Sequence, residues 1–243
     1  MNLLDEIIGI AIDTKQSLPI LLRKCLLLAY ELSNARLKSW ANQELNGYAP
    51  QQPLPDYRVM HIGTYANFSG PFGASMRNWP IPPAVLEESH RDFARRVELR
   101  QAISCYETAI QSGEGSMTYS WPGDLCLYYQ DKLVDGYALV SAWQTVPSSA
   151  ISGMIDTIRN RTLNMALEIQ GELGDRTDGA SMTNKDAEKI SQSITHNIFN
   201  GPAYFASGAS QVHIANTGNE TIIAQGNRDC SGRPTPQERT VQT

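Results

Sequence analysis

Glu44 is the residue whose type and position ask most of their surroundings. Helical spacing sets it between Trp40, Ala41 and Tyr48, so a carboxylate projects from the centre of an apolar face. A carboxylate buried there alone would cost several kcal/mol or hold on to its proton. It therefore demands a cation, and the sequence offers Arg23 or Arg58 as the nearest sensible candidates. Arg23 lies inside the most apolar helical segment, beside Leu27 and Tyr30 on the helical wheel. A network of Glu44, an arginine and Tyr48 can be a structural salt bridge. That is the preferred reading; the alternative is a site where carboxylate and guanidinium meet a ligand. The residue types alone leave both readings open.

Other groups with chemical potential are weaker. Arg91, Arg95, Arg96 and Arg100 recur along one predicted helix and could contact phosphates, but Glu87, Glu88, Asp92 and Glu98 neutralise much of that flank. Asp124, Asp131 and Asp135 are spaced acids that could hold Mg²⁺, yet such spacing is common on a solvated surface, and no metal site is expected. His196 and His213 alternate with apolar residues and read as polar-face positions. The sequence contains no Gly-x-Ser-x-Gly elbow, phosphate-binding glycine loop or His-Glu-x-x-His pair. The four cysteines, Cys25, Cys105, Cys126 and Cys230, are scattered without zinc spacing and read as reduced thiols. No cofactor is expected.

The elements that must position these groups are mainly helical. Residues 3–12, a segment from Leu18 to Leu32 and a third from Ala35 to Leu45 carry helical stripes, the second with Ser17 as N-cap and Pro19 in its first turn. That second segment is apolar on two faces, with Ile20 and Leu27 opposite the main stripe, which predicts cover from both directions. Gly47 ends the third helix, and Pro50, Pro53 and Pro55 enforce an extended link. Strand character follows over 57–69, with Val59, Tyr65 and Phe68 as candidate buried positions. A long helix is predicted over 84–111, its apolar face rotating midway. Strands are predicted near 117–121 and 137–145, framing a short helix that starts at Pro122. A last long helix begins after Pro147.

Composition changes abruptly after Gly174. The sequence predicts an α+β chain: a mainly helical domain with a small β component over 1–174, a linker over 175–195, a glycine-punctuated β meander or rung-like tail over 196–227, and a disordered end over 228–243. About thirty residues of short strands cannot bury enough surface to stand alone, so the tail is expected to pack on the domain or to drive homo-oligomerisation. The chain has 243 residues, of which 41% are hydrophobic and 19% charged, and a net charge of −5 from 20 Lys+Arg against 25 Asp+Glu. That balance argues against a dedicated nucleic-acid binder while leaving a local basic patch possible. The start has no basic leader, and the longest apolar stretch is interrupted by Arg23, Lys24 and Glu31. A cytoplasmic protein without membrane attachment is expected.

Taken as a string, Leu21-Leu22-Arg23-Lys24-Cys25, Leu28-Ala29, Trp40, Glu44-Leu45-Asn46-Gly47-Tyr48 and Leu54-Pro55-Asp56-Tyr57-Arg58 resemble the start of the AbiTii domain. Ile158-Arg159-Asn160 resembles its end, so that the resemblance spans roughly residues 2 to 173. It implies a bacterial protein of abortive infection, the phage defence in which an infected cell stops growing or dies. It carries no established chemistry. Arg23, Glu44, Tyr48 and Arg58 match its pattern without an assigned role. The preferred expectation is defence by self-assembly or partner binding, with a phage-derived or host protein as trigger. The alternatives are a nuclease or nucleotide-processing enzyme built on an acidic/arginine site, and a nucleic-acid or phage-protein sensor using Arg91, Arg95 and Arg96.

Overall fold

The computed structural model describes residues 3–113, 115–174 and 184–200. Helices α1 (Leu3–Ile12), α2 (Leu18–Glu31) and α3 (Ala35–Asn46) fall where periodicity places them. The start of α2 differs from expectation in one detail. Ser17 has the extended backbone of an N-cap, but its side chain does not cap the helix. Glu107, on helix α4 (Ile103–Gln111), does so instead: its Oε1 accepts from the Leu18 N–H at 2.6 Å, and its Oε2 from the Ser17 hydroxyl at 3.1 Å. A carboxylate here meets both the orphan donors and the positive end of the helix dipole. The start of α3 is capped by Asn34, which accepts from the Leu37 N–H at 2.9 Å.

The main core lies under these helices. Leu21, Leu22, Cys25 and Leu28 of α2 pack with Leu37 of α3, Ile103 and Tyr106 of α4, and Met154, Ile158 and Met165 of α6 (Ser148–Gly174). Arg159 of α6 ties the end of α1 to this layer, donating to the carbonyls of Ile10, Asp13 and Gln16 at 3.2, 3.3 and 2.7 Å.

Two antiparallel sheets accompany the helices. The larger runs β3-β2-β6-β5, from β2 (Thr64–Ser69), β3 (Ser75–Ile81), β5 (Ser116–Ser120) and β6 (Ala138–Pro147). The smaller pairs β1 (Val59–Met60) with β4 (Val97–Glu98). A second core of Phe68, Ile81, Leu86, Trp121, Tyr129 and Leu139 lies against one face of the larger sheet. Helix α5 (Gly123–Tyr128) sits between β5 and β6, as the sequence predicts. Gln144 fastens β6 to the neighbouring segments, donating to the carbonyls of Ile62 at 2.9 Å and Arg96 at 3.2 Å.

Several expectations are corrected. The helix predicted over 84–111 is 3-10 turns at Pro83–Val85 and Glu88–Ala94, strand β4, and only then α4. The rotation of its apolar face therefore marks an interruption. Val97 and Leu99 are buried with period two, which a pleated segment satisfies and a helix does not. Strand β3 carries Pro80 and lies at the sheet edge, where proline is tolerated. Tyr65, expected inside, is 45% exposed, because Thr64, Ala66 and Phe68 take the inner face of β2. Residues 65 and 68 cannot share one face of a regular strand. Among the described residues, the second apolar face of α2 is also exposed rather than covered, with Ile20 and Leu27 at 41% and 52%.

Beyond Gly174, helix α7 (Asn184–Ile194) and a π-helical turn at Thr195–Phe199 occupy residues read as linker and as the first tail strand. Ile190, Ile194 and Ile198 repeat every four residues and pack into the main core. The rest of the expected β tail, 201–227, and the end at 228–243 lie outside the described residues. No described helix is long and apolar enough to cross a membrane.

Candidate functional site

The demand of Glu44 for a cation is met by Arg58. The final turns of α3 present Glu44. Gly47, at φ +90°, reverses the chain so that Tyr48 folds back beside it. The Gly47 Cα approaches the Arg100 carbonyl so closely that a Cβ would stand 2.8 Å from that oxygen. A 3-10 turn over Asp56–Arg58 then delivers Tyr57 and Arg58 from the other side.

Both charged side chains are fully buried. The Arg58 Nη2 donates to Glu44 Oε2 at 2.5 Å, and its Nε is shared between the two carboxylate oxygens at 3.2 Å each. Its Nη1 donates to the carbonyls of Leu99 and Gln101, both at 2.7 Å. Glu44 Oε1 also accepts from the Tyr48 hydroxyl at 2.7 Å and the Tyr57 hydroxyl at 2.9 Å, and the latter accepts from the Trp40 indole N–H at 2.8 Å. The Tyr48 and Tyr106 rings lie 5.0 and 5.6 Å from the guanidinium carbon, at cation–π range.

Electrostatics lock these protonation states. Burial, and then the charge of Glu44, push the Tyr48 and Tyr57 hydroxyls above their ordinary range. Burial by itself would weaken proton binding at Arg58, but the adjacent carboxylate overrides it and holds the guanidinium above its usual value. Each oxygen of Glu44 is occupied by donors, and neither charged group faces solvent. The arrangement is a closed structural joint between α3, the 56–58 turn and the 99–101 segment. It has no vacant lone pair with which to take a substrate proton.

Of the four residues predicted for this network, the structure brings together Glu44, Tyr48 and Arg58. Arg23 is exposed on the outer face of α2 and takes no part. Tyr57 and Trp40 complete the cluster. Tyr57 stood in the sequence between Asp56 and Arg58, but nothing in its spacing pointed its hydroxyl at Glu44. The arginine flank is also dispersed. Arg95 pairs with Asp92 at 2.6 Å, Arg96 with Asp92 at 3.0 Å and Glu98 at 3.1 Å, and Arg100 with Glu98 at 2.8 Å. Arg91 is exposed in a 3-10 turn rather than on a helical stripe with the others. Asp124, Asp131 and Asp135 are exposed, and the described residues contain no group of three or more His, Cys, Asp or Glu able to hold a metal ion.

A groove of about 570 Å³, which sequence reasoning did not anticipate, lies where α6 meets the π-helical turn. Asp156, Asn160 and Asn164 line it at helical spacing, with Glu168, His196 and Asn197 at its far end. Glu168 Oε2 accepts from the Ser193 hydroxyl at 2.6 Å and the Asn197 amide at 2.8 Å, pinning α7 and the turn to α6. Arg161, also lining the groove, reaches inward to Asp56 at 3.2 Å and to the Ile198 carbonyl at 3.0 Å. Its guanidinium lies 4.8 Å from the Tyr57 ring centroid. Arg161 and Tyr57 thus connect the groove to the buried joint.

The sequence profile of the AbiTii family matches residues 2–195, which takes in Glu44, Tyr48, Tyr57, Arg58 and the α6 wall of the groove. The chain belongs to the AbiTii family. Membership implies a part in abortive-infection phage defence. The AbiTii match continues past residue 173, where the resemblance was expected to end, and runs through α7 to the first residue of the π-helical turn. The packing of α7 on α6 explains why the family's unit does not stop at Gly174. No curated protein and no solved structure matches the chain significantly.

Proposed function

We propose that this AbiTii protein defends by self-assembly or by binding a partner, and not by chemistry at Glu44. The observation that carries this reading is the closure of the Glu44–Arg58 network: both charges are fully buried and every Glu44 oxygen already accepts hydrogen bonds from the protein. An acidic/arginine catalytic site would need a carboxylate able to exchange its partner for substrate. The sensor reading loses support for a similar reason, since Arg95 and Arg96 are engaged by Asp92 and Glu98. The chain beyond residue 200 is the proposed oligomerisation element. The α6 groove, with exposed Asp156, Asn160 and Asn164, is the proposed seat of a phage-derived or host protein trigger.

Phage challenge of cells carrying Glu44→Gln, Tyr48→Phe, Asn160→Arg and tail-deleted forms tests this reading, with the melting temperature of each purified protein measured alongside. Protection by the two network variants should follow their stability alone. Loss of protection is expected from Asn160→Arg or tail deletion at unchanged stability. A stably folded Tyr48→Phe or Glu44→Gln protein that protects no cells would sink the proposal and restore a chemical role for the network.

A further inference from the structure

Helix α2 has a second apolar face that nothing described covers. Ile20, Leu27 and Tyr30 are 41%, 52% and 59% exposed, while the opposite stripe of Leu21, Leu22, Cys25 and Leu28 is buried. Positions 20, 23, 27, 30 and 31 share this outer side at three- and four-residue steps. Arg23 precedes Leu27 by four residues and Glu31 follows it by four. Both are exposed, and neither makes an ion pair among the described residues. An exposed apolar stripe framed by charges is the usual mark of an interaction surface.

We propose that this face joins two copies of the chain, with α2 packed antiparallel on its counterpart around a two-fold axis at Leu27. The proposal rests on the assembly reading of function and names a surface for it inside the family domain. The charge pattern selects the occupant and the orientation. In an antiparallel pair centred on Leu27, residues equally distant from it on opposite sides face each other. Leu27 meets the second copy's Leu27, and Arg23 meets the second copy's Glu31, twice by symmetry. A parallel pair in register would instead set arginine against arginine and glutamate against glutamate. The neighbouring charges leave this pattern intact: Lys24 is engaged with Glu6 at 2.6 Å, and Lys38 lies over the Tyr30 ring at 4.1 Å. The face is thus complementary to itself in charge, with Leu27 on Leu27 at its centre.

Sedimentation equilibrium of the full-length protein over the micromolar range, with Arg23→Glu, Glu31→Arg, the double exchange and Leu27→Glu, provides the test. Each charge reversal is expected to weaken association by about tenfold or more. The double exchange should restore it. Leu27→Glu, which sets two carboxylates at the axis, should halve the mass of the wild-type particle. All three positions are exposed, so circular dichroism melts should match wild type. A monomeric wild type overturns the interface, as it would if residues 201–243 covered α2 instead. So does an oligomer unchanged by the reversals, or a double exchange that fails to restore association. Phage protection separates the two claims. A Leu27→Glu protein of halved mass that still protects upholds the interface and removes assembly from the mechanism. An unchanged oligomer removes the interface and leaves assembly standing.

Discussion

Replacing Glu44 with glutamine should be among the most damaging single-atom changes in the molecule. The substitution keeps shape and volume but removes the countercharge of an arginine that has no exposure to solvent. Three of the contacts that Arg58 donates to Glu44 lose their charge assistance, and the new amide places a donor where the carboxylate accepted from Tyr48, Tyr57 or Arg58. Breaking a buried pair from one side costs about 3–5 kcal/mol, because the remaining charge stays desolvated. Against a domain stability of about 5–15 kcal/mol, that is a substantial fraction. For a chain of this size each kcal/mol shifts the midpoint by roughly 2–4 °C, so Tm should fall by about 6–20 °C. Urea denaturation of the full-length protein, followed by circular dichroism, measures the change directly. Tyr48→Phe should cost less, about 1.5–3 kcal/mol, since it removes one hydrogen bond to a charged acceptor that keeps other donors. A Glu44→Gln protein within about 1 kcal/mol of wild type would refute the view that this network is the structural joint of the domain.

The same burial gives the protein an alkaline limit. Tyr48, Tyr57 and Cys25 all bind their protons more tightly when folded, Cys25 being pushed up by burial to about 12 from 9.0. A raised folded-state value stabilises below the unfolded value and is lost as pH climbs towards the folded one. Stability should therefore hold up to about pH 9 and then fall, by up to about 4 kcal/mol per pH unit once all three groups ionise in the unfolded chain. Denaturation series between pH 8 and about 11 read this slope, and a flat profile would contradict the burial of these groups. Gly47→Ala should destabilise by more than about 1 kcal/mol, because φ is +90° and the added Cβ would press on the Arg100 carbonyl. Thermal melts of this variant against Gly63→Ala, where nothing lies within 4 Å of the added carbon, isolate the effect.

The helical part of this fold was legible because its periodicity is strong and local. Three helices in the first forty-six residues and the long α6 follow directly from apolar spacing, and so does the need of Glu44 for a cation. What periodicity does not encode is which distant residue answers a local demand. Arg23 and Arg58 were equal candidates in sequence, but only the 3-10 turn at Asp56–Arg58 turns a guanidinium towards α3, while the geometry of α2 points Arg23 outward. The cap of α2 shows the same limit. Ser17 is a good N-cap by type, yet a glutamate 90 residues away takes the role. The segment 84–111 misled for another reason. Its arginines and acids have helical spacing, whereas Val97 and Leu99 have strand spacing, and burial of the latter pair decided the outcome. The groove was invisible because His196 and Asn197 reach it from the π-helical turn, in a stretch whose spacing reads as the first strand of a β tail.

Charge in this molecule is sorted by depth, and that sorting bears on how the protein works. The deep charges, Glu44 and Arg58, are fully satisfied, and Arg159 and Arg161 spend their guanidinium groups on carbonyls and Asp56. Groups committed in this way hold segments together and cannot exchange partners without loss of the fold. Arg23 and Glu31 on α2, and Asp156, Asn160 and Asn164 along α6, are instead exposed on helices that the core holds rigid. Binding at such positions requires little ordering of backbone, so its free energy is not consumed by conformational entropy. The two classes touch at Arg161, since it lines the groove while its guanidinium lies over Tyr57, itself bonded to Glu44. An occupant that drew Arg161 towards the groove would have to compete with Asp56, the Ile198 carbonyl and the Tyr57 ring. The groove is thus coupled to the joint by contacts that a ligand could shift only at the expense of the domain's own stability.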